Sequence, residues 1–390
     1  MSTESLWVSA ENIHEIPAVR GFRSLREALG KRGSFSHATI EEPVEEVLGS
    51  DPDQREDDQQ TRDFPLFEAV ERVQDSVRPW VLLGRPIGRA DDHVFRYFLD
   101  GSLRTYRWGE KSEGGTSFPV IVTEVGCAVV FRRDDGTVTR HAFKRRLCLL
   151  LPPTPPVSSD TAEDLLQTST DDGGNAGLNV EVVRLARERH LGDLRTALLG
   201  KARSVMHELE VSVANSFPHD GQSWLVIDGA IRKRIFMDLR NTIGLAKSFS
   251  RKPRFLFPPA RRSIDVVALL RYLPCGARSP VFVSSARAQA TDSPTGAGIA
   301  SWYVRLREPS IQGDPLHGIV KVDYVVDGEW SAERDGPAVE RLSRALLAER
   351  SVSPYPTNRW ATHIYPIFCA ETFLKSSLLN PVVMRGLMEA

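Results

Sequence analysis

"YFLDGSLRTY", residues 97–106, and "WLVIDGAIRK", residues 224–233, decide how this chain is read. In each, an apolar run delivers an aspartate, Asp100 or Asp228, followed at once by glycine. The aromatic-rich alternation of "HVFRYFLDGS" (93–102) argues a strand. The almost unbroken apolar run of "SWLVIDGAI" (223–231) argues a strand buried on both faces, at the centre of a sheet. A single Asp-Gly after a strand is ordinarily a turn. Two of them, far apart in sequence, suggest two strand-end carboxylates brought together for one purpose.

Working outward, residues 118–153 alternate through two or three further strands, and Asp-Asp-Gly at 134–136 is a hairpin signal. The stretch reads as an antiparallel meander that begins with the Asp100 strand. Residues 152–177 are rich in Pro, Ser, Asp and Gly and read as a flexible insertion. A long amphipathic helix is expected over about 179–215, where Leu191, Leu194, Leu198, Ala202, Met206, Leu209 and Val213 recur every three or four residues. After the Asp228 strand come a strand end in "NTIGLAKSF", a helix in "IDVVALLRYL", strands in "IASWYVRLRE" and "HGIVKVDYVV", and helices at about 336–350 and 363–378. "RPWVLLGRP" (78–86) is a short apolar segment, and "VRGFRSLREALGKRG" near the N-terminus has a helical pattern. Residues 51–63, "DPDQREDDQQTRD", read as a solvated acidic linker, so residues 1–63 are expected to form an N-terminal extension and 64–390 the main domain.

The chain has 390 residues, 41% hydrophobic and 26% charged, with a net charge of −1. These values fit a soluble globular protein with room for a large core. The charge is unevenly spread: residues 231–262 hold ten Lys or Arg against one acid, Asp238. Such a block attracts a polyanion or forms a solvated basic loop, and charge alone does not separate the two. The four cysteines include no CxxC pair, which argues against a zinc site or a disulfide framework. No signal-peptide pattern and no bilayer-length apolar stretch is present, so a cytoplasmic protein without a membrane partner is expected.

Phosphodiester cleavage with bound metal needs convergent carboxylates, because Mg²⁺ and Mn²⁺ are hard cations that prefer oxygen. Asp100 and Asp228 are the strand-end candidates. Glu208 and Glu210, on the helix before the Asp228 strand, are the helix candidates; Glu210 lies beside the apolar stripe and Glu208 is turned further round. Asp323 in "GIVKVDYVV" is a weaker candidate. Lys247, in the basic block, is a candidate phosphate contact, together with Arg251, Lys252 and Arg254. Tyr355 and His363 in "SPYPTNRWATHIYP" offer a group to position water or stack on a base, and a group to act on a leaving oxygen. Each of these residues also has an ordinary reading, as a turn, a solvated charge or a packing histidine. No Walker-type phosphate loop, HExxH or GxSxG occurs, which disfavours ATP hydrolysis and serine-hydrolase chemistry.

Taken in order, "FLDGS", a helix Glu, "LVIDGAI", "IGLAKS", "SWYVRLRE", "GIVKVDY", "YP" and "ATHIYPIFCAETFLKS" resemble the NurA-domain nucleases, from about residue 90 to the C-terminus. The resemblance implies an α/β, RNase H-like fold: a central mixed sheet flanked by helices, here with an N-terminal extension and insertions. It implies a Mn²⁺- (or Mg²⁺-) dependent 5′–3′ exonuclease and single-strand endonuclease. Such enzymes are homodimers that work on DNA with a HerA-like hexameric ATPase, in end processing or anti-phage defence. It further implies Asp100 and Asp228 as metal ligands, Glu210 or Glu208 as the third carboxylate, and Tyr355 and His363 as the late site residues. The competing expectation is a catalytically inactive DNA-binding adaptor of such a motor.

Overall fold

The protein is described from a computed structural model, covering residues 17–38, 66–71, 79–88, 93–153, 157–171, 180–186, 193–217, 223–231, 239–258, 262–284, 298–308, 313–351 and 360–389. It is a mixed α/β structure. In chain order its strands are β1 (Ser34–His37), β2 (Leu66–Ala69), β3 (Val81–Leu82), β4 (Phe95–Glu113), β5 (Thr116–Arg132), β6 (Val138–Leu151), β7 (Val180–Arg184), β8 (Trp224–Asp228), β9 (Thr242–Ala246), β10 (Arg254–Phe257), β11 (Arg262–Asp265), β12 (Ala277–Arg278), β13 (Phe282–Ser284), β14 (Gly298–Arg305) and β15 (Ile319–Val326). The helices are α1 (Pro17–Gly30), α2 (Ser159–Asp171), α3 (Leu194–Ala214), α4 (Val266–Leu270), α5 (Ala332–Glu349), α6 (Tyr365–Ser377) and α7 (Pro381–Glu389).

The main path of the sheet runs β11-β10-β2-β13-β14-β15-β9-β8-β4-β5-β6-β7. The expected meander is present: β4, β5 and β6 are antiparallel neighbours, and the Asp134-Asp135-Gly136 turn closes the second hairpin, with Gly136 at φ +82°. On the other side of β4 the direction changes character. β8 lies parallel to β4, and β9 lies parallel to β8. Parallel neighbours need a crossover, and α3 lies on the stretch that leads into β8.

The sheet is buried on both faces, which is why β8 and β9 read as continuous apolar runs. On one face α3 packs Leu198, Val205, Met206 and Leu209 onto Leu99, Val125, Cys127 and Ile227. On the other, α5 and α6 pack Leu342, Leu346, Ile367 and Ala370 onto Phe98, Val226, Ile243, Leu245 and Trp302. Successive strand residues point to opposite faces, so Phe98 and Leu99 serve different layers.

Several expectations are corrected. Residues 180–184 form β7, parallel to β6, and not the first turns of a long helix. β-Branched alternation in "VEVVR" favours the strand, and α3 begins only after Asp193, whose side chain accepts the Thr196 N–H at 3.0 Å. The stretch expected as a flexible insertion contains α2, which buries Ala162 and Leu165. The helix of the expected N-terminal extension, α1, shares a cluster with α2 and α7 around Trp108 and Phe118, at the far end of the β4–β5 hairpin. "IDVVALLRYL" divides into the end of β11 and the short α4, and α7 follows α6 without having been anticipated. The acidic linker at 51–63 lies outside the described residues.

Trp108 ties these terminal helices to the sheet. It is fully buried, meets Phe22 edge-on at 5.4 Å and donates from Nε1 to the Met388 carbonyl at 2.9 Å. Trp108→Ala is expected to destabilise the fold by about 3–5 kcal/mol, seen as a lower denaturant midpoint.

Candidate functional site: two aspartates on neighbouring rungs

Asp100 and Asp228 meet because of register. β4 and β8 pair in parallel at Phe98↔Val226 and Leu99↔Ile227, so the next residue on each strand is an aspartate. β8 ends at Asp228, but β4 runs on to Glu113. Asp100 therefore marks the end of the parallel pairing, not the end of its own strand as expected. By alternation, Asp100 shares the face of Phe98, and Asp228 the face of Val226. Both belong to the layer covered by α5 and α6.

Two more residues join them. Lys247 follows β9, two residues after Leu245 and on the same face. Its Nζ donates to Asp228 Oδ2 at 2.6 Å and to His363 Nε2 at 2.9 Å. His363 precedes α6 and is buried. The Lys247 and Asp228 side chains are each 12% exposed.

The electrostatics follow from this packing. Burial and then the neighbouring Asp228 charge push the Asp100 carboxyl well above the usual range; Lys247 opposes them, and Glu371 and Glu210 add to the rise. Glu371, on α6, behaves oppositely. Burial raises it, but the hydrogen bond from Lys375 at 2.8 Å and the charges of Lys247, Lys375 and His363 outweigh burial and hold it below the usual range. Glu371 was not among the expected site residues. The signal for it was its place two helical turns beyond His363, in "HIYPIFCAE".

Glu210 approaches from the other side of the sheet. It is buried on α3, accepts from His207 Nδ1 at 2.7 Å, and lies directly over Gly101. A Cβ at residue 101 would fall 2.1 Å from Glu210 Oε1. The glycine after Asp100 is there for close approach, since no side chain fits beneath that carboxylate. Among the described residues, no three His, Cys, Asp or Glu side chains lie close enough together to hold a metal ion.

The remaining expected residues fall elsewhere. Glu208 is 51% exposed and faces Arg146 and Lys201 at 3.8 and 3.6 Å, whereas Glu210 is buried beside Gly101 on the face opposite Asp100 and Asp228. Asp323 is buried with its hydrogen bonds filled by Ser301 Oγ at 2.6 Å and the Ile231 amide at 3.2 Å, and Lys321 lies 2.8 Å away. It alternates onto the face opposite Val322 and so away from Asp228. Lys247 is not a surface cation. Arg251 pairs with Asp314, Arg254 donates to Ser263 Oγ at 2.6 Å, and Lys252 is exposed. Tyr355 and residues 232–238 of the basic block lie outside the described residues. The chain matches no family model, and no curated protein matches it.

A raised Asp100 pKa means the folded state holds its proton more tightly than the unfolded chain. Stability is then intact below the unfolded pKa and falls as pH rises toward the folded one. Without added metal, Asp100→Asn is expected to raise the melting temperature at pH 7.5 and leave it unchanged near pH 3, as read by scanning calorimetry. Gly101→Ala forces Glu210 aside and is expected to cost about 1–3 kcal/mol, measured by urea unfolding.

Proposed function

We propose that this chain is a metal-dependent DNA nuclease of the NurA type. The observation that carries the reading is the Asp100–Asp228 pair, one carboxylate buried and the other only slightly exposed, level with each other on neighbouring parallel strands. Burying like charges side by side is costly unless a cation joins them. A binding module has no need of that cost. The strand order β6-β5-β4-β8-β9, three antiparallel and then two parallel, supports an RNase H-like reading of the central sheet.

The donor set suits a hard cation. Asp100 and Asp228 offer carboxylate oxygens, and Mg²⁺ is commonly held by one or two carboxylates with water and substrate phosphate completing its shell. Bound there, Mn²⁺ or Mg²⁺ would supply an activated water and charge stabilisation at the scissile phosphate. The chain's own groups have distinct tasks. Lys247 holds Asp228 and His363 together through its two hydrogen bonds. His363, held by Lys247 beside Asp228, is the candidate group to act on a departing oxygen. Gly101 leaves room for Glu210 to add negative potential beside Asp100. Lys252, Arg251 and Arg254 continue from Lys247 along the chain and offer phosphate contacts. Homodimerisation and a HerA-like ATPase partner complete the proposal, with end processing or phage defence as its setting.

A second reading, a DNA-binding adaptor without catalysis, draws on the absence of a three-group cluster among the described residues and on the Lys247 ammonium resting on Asp228. One experiment separates the two. With linear and single-stranded DNA and Mn²⁺, the wild type is expected to cleave. Asp100→Ala and Asp228→Ala are expected to lose more than roughly 100-fold in rate, beyond the range typical of groups that only orient a metal ligand. Glu208→Ala is expected to retain activity. DNA binding without cleavage in the wild type would favour the adaptor.

A further inference from the structure

We infer that Arg104 and Glu124 are positioning residues of the candidate site: they grip the far end of α6 and so set where Glu371 stands against Asp100, Lys247 and His363. The inference rests on the nuclease reading proposed above and deepens it, by assigning residues that act on the site through a helix.

Both side chains lie on the Asp100 face of the sheet. β4 and β5 pair at Asp100↔Ala128 and at Arg104↔Glu124, so alternation puts all four residues on one side. About 13 Å of strand separates Arg104 from Asp100. Arg104 and Glu124 are both buried, and charged groups are seldom buried without partners. Here both are directed at a single peptide group. The Leu379 N–H donates to the two Glu124 oxygens at 3.0 and 3.2 Å. The Leu379 carbonyl accepts from Arg104 Nη1 at 2.7 Å. Arg104 Nη2 also reaches the Lys375 carbonyl at 3.5 Å, and carbonyls in the last turn of a helix have no partner within it. A carboxylate and a guanidinium that close on the N–H and C=O of one residue fix both its place and its orientation.

α6 connects this clamp to the site. The helix is 13 residues long, Tyr365–Ser377, and Leu379 lies just beyond it. At its start the chain is tied by the Arg350–Ile364 bridge and by the Ser351 N–H, which donates to the His363 carbonyl at 3.3 Å. Between these ends the helix lies close on β5. A Cβ at residue 126 would fall 2.8 Å from both Leu374 Cδ1 and Leu378 Cδ2, and the same two leucines pack on Ala128. Glu371 stands midway between the two anchorages. Held at both ends, the helix cannot swing. Held only at its start, it turns about the His363 end and carries Glu371 with it. Glu371 acts by its charge on Asp100, and Lys247 and His363 act by theirs on Glu371. Loss of the clamp therefore alters the site without touching it.

The clamp calls for an acceptor more than for a charge. Burial pushes the Glu124 carboxyl up, against the opposing pull of the Leu379 N–H, Arg145 and Arg104. Glutamine at this position keeps an oxygen for the Leu379 N–H, whereas alanine removes it.

The test records the imidazole nitrogen signals of His363 by NMR, in full-length protein labelled with ¹⁵N at histidine, at fixed pH and with no metal or DNA added. The signals are assigned by their loss in His363→Gln. Glu124→Ala and Arg104→Met are expected to shift them in the same direction as Glu371→Gln, and Glu124→Gln to leave them at the wild-type position. In DNA cleavage with Mn²⁺, Glu124→Ala is expected to lower kcat on the order of 100-fold with KM unchanged, and Glu124→Gln to restore it. Wild-type His363 signals in a folded Glu124→Ala or a folded Arg104→Met would overturn the inference. So would a shift in Glu124→Gln as large as that in Glu124→Ala. Arg104→Met serves where Glu124→Ala fails to fold, because it leaves the Glu124 acceptor in place. A wild type that cleaves no DNA would remove the nuclease reading and leave the histidine signals to decide on the clamp.

Discussion

Two carboxylates set side by side in the interior of a sheet constrain everything around them. Leaving even one buried charge uncompensated costs several kcal/mol, at order of magnitude. The fold answers at Asp228 with Lys247, through a short hydrogen bond inside a nearly closed layer. At Asp100 it answers incompletely: burial and the Asp228 charge outweigh the help from Lys247, and the carboxyl is left far more ready to hold a proton. The asymmetry marks the pair, because Lys247 is hydrogen-bonded to Asp228 and acts on Asp100 only through its charge. Such poorly compensated carboxylates are where function tends to lie.

The sheet makes this asymmetry possible. Parallel pairing brings Leu99 and Ile227 level, so the residues that follow must emerge together. Continuous apolar packing on both faces holds that register, since a slip of β8 by one residue would turn Asp228 into the α3 layer and away from Asp100. Phe98, Val226, Ile243 and Leu245 anchor the face that carries Asp100 and Asp228, and Leu99, Val125 and Ile227 anchor the opposite one. At Gly101 the missing side chain lets the Glu210 carboxylate reach the backbone beside Asp100.

Much of this was legible in the sequence, for identifiable reasons. The aspartates stood out because an apolar run ending in Asp-Gly is a local pattern. The meander was readable from alternation and a strong turn at 134–136. What could not be read depended on long-range placement. β7 was merged into α3 because a short β-branched run next to a helical pattern carries no boundary of its own. α2 was hidden in a Pro- and Ser-rich stretch, since its burial depends on α1 and α7, more than 100 residues away on either side. Lys247 was grouped with its basic neighbours by composition, and only the sheet shows that its side chain turns inward toward Asp228. Glu371 escaped because a glutamate on an amphipathic helix looks solvated until the facing strand is known.

Glu371 and Asp100 show how one cation can act in two directions. Both lie on the face that Lys247 occupies, and both are raised by burial. Glu371 is also held by Lys375 and lies near His363, so positive charge prevails and its carboxyl falls below the ordinary range. Asp100 has Asp228 as its strongest neighbour, so negative charge prevails. Groups of one chemical type whose environments drive them apart in this way are suited to different tasks. A carboxylate held ionised at the rim steadies the positive groups around it. A carboxyl that resists ionisation deeper in keeps its proton where its neighbours are acidic.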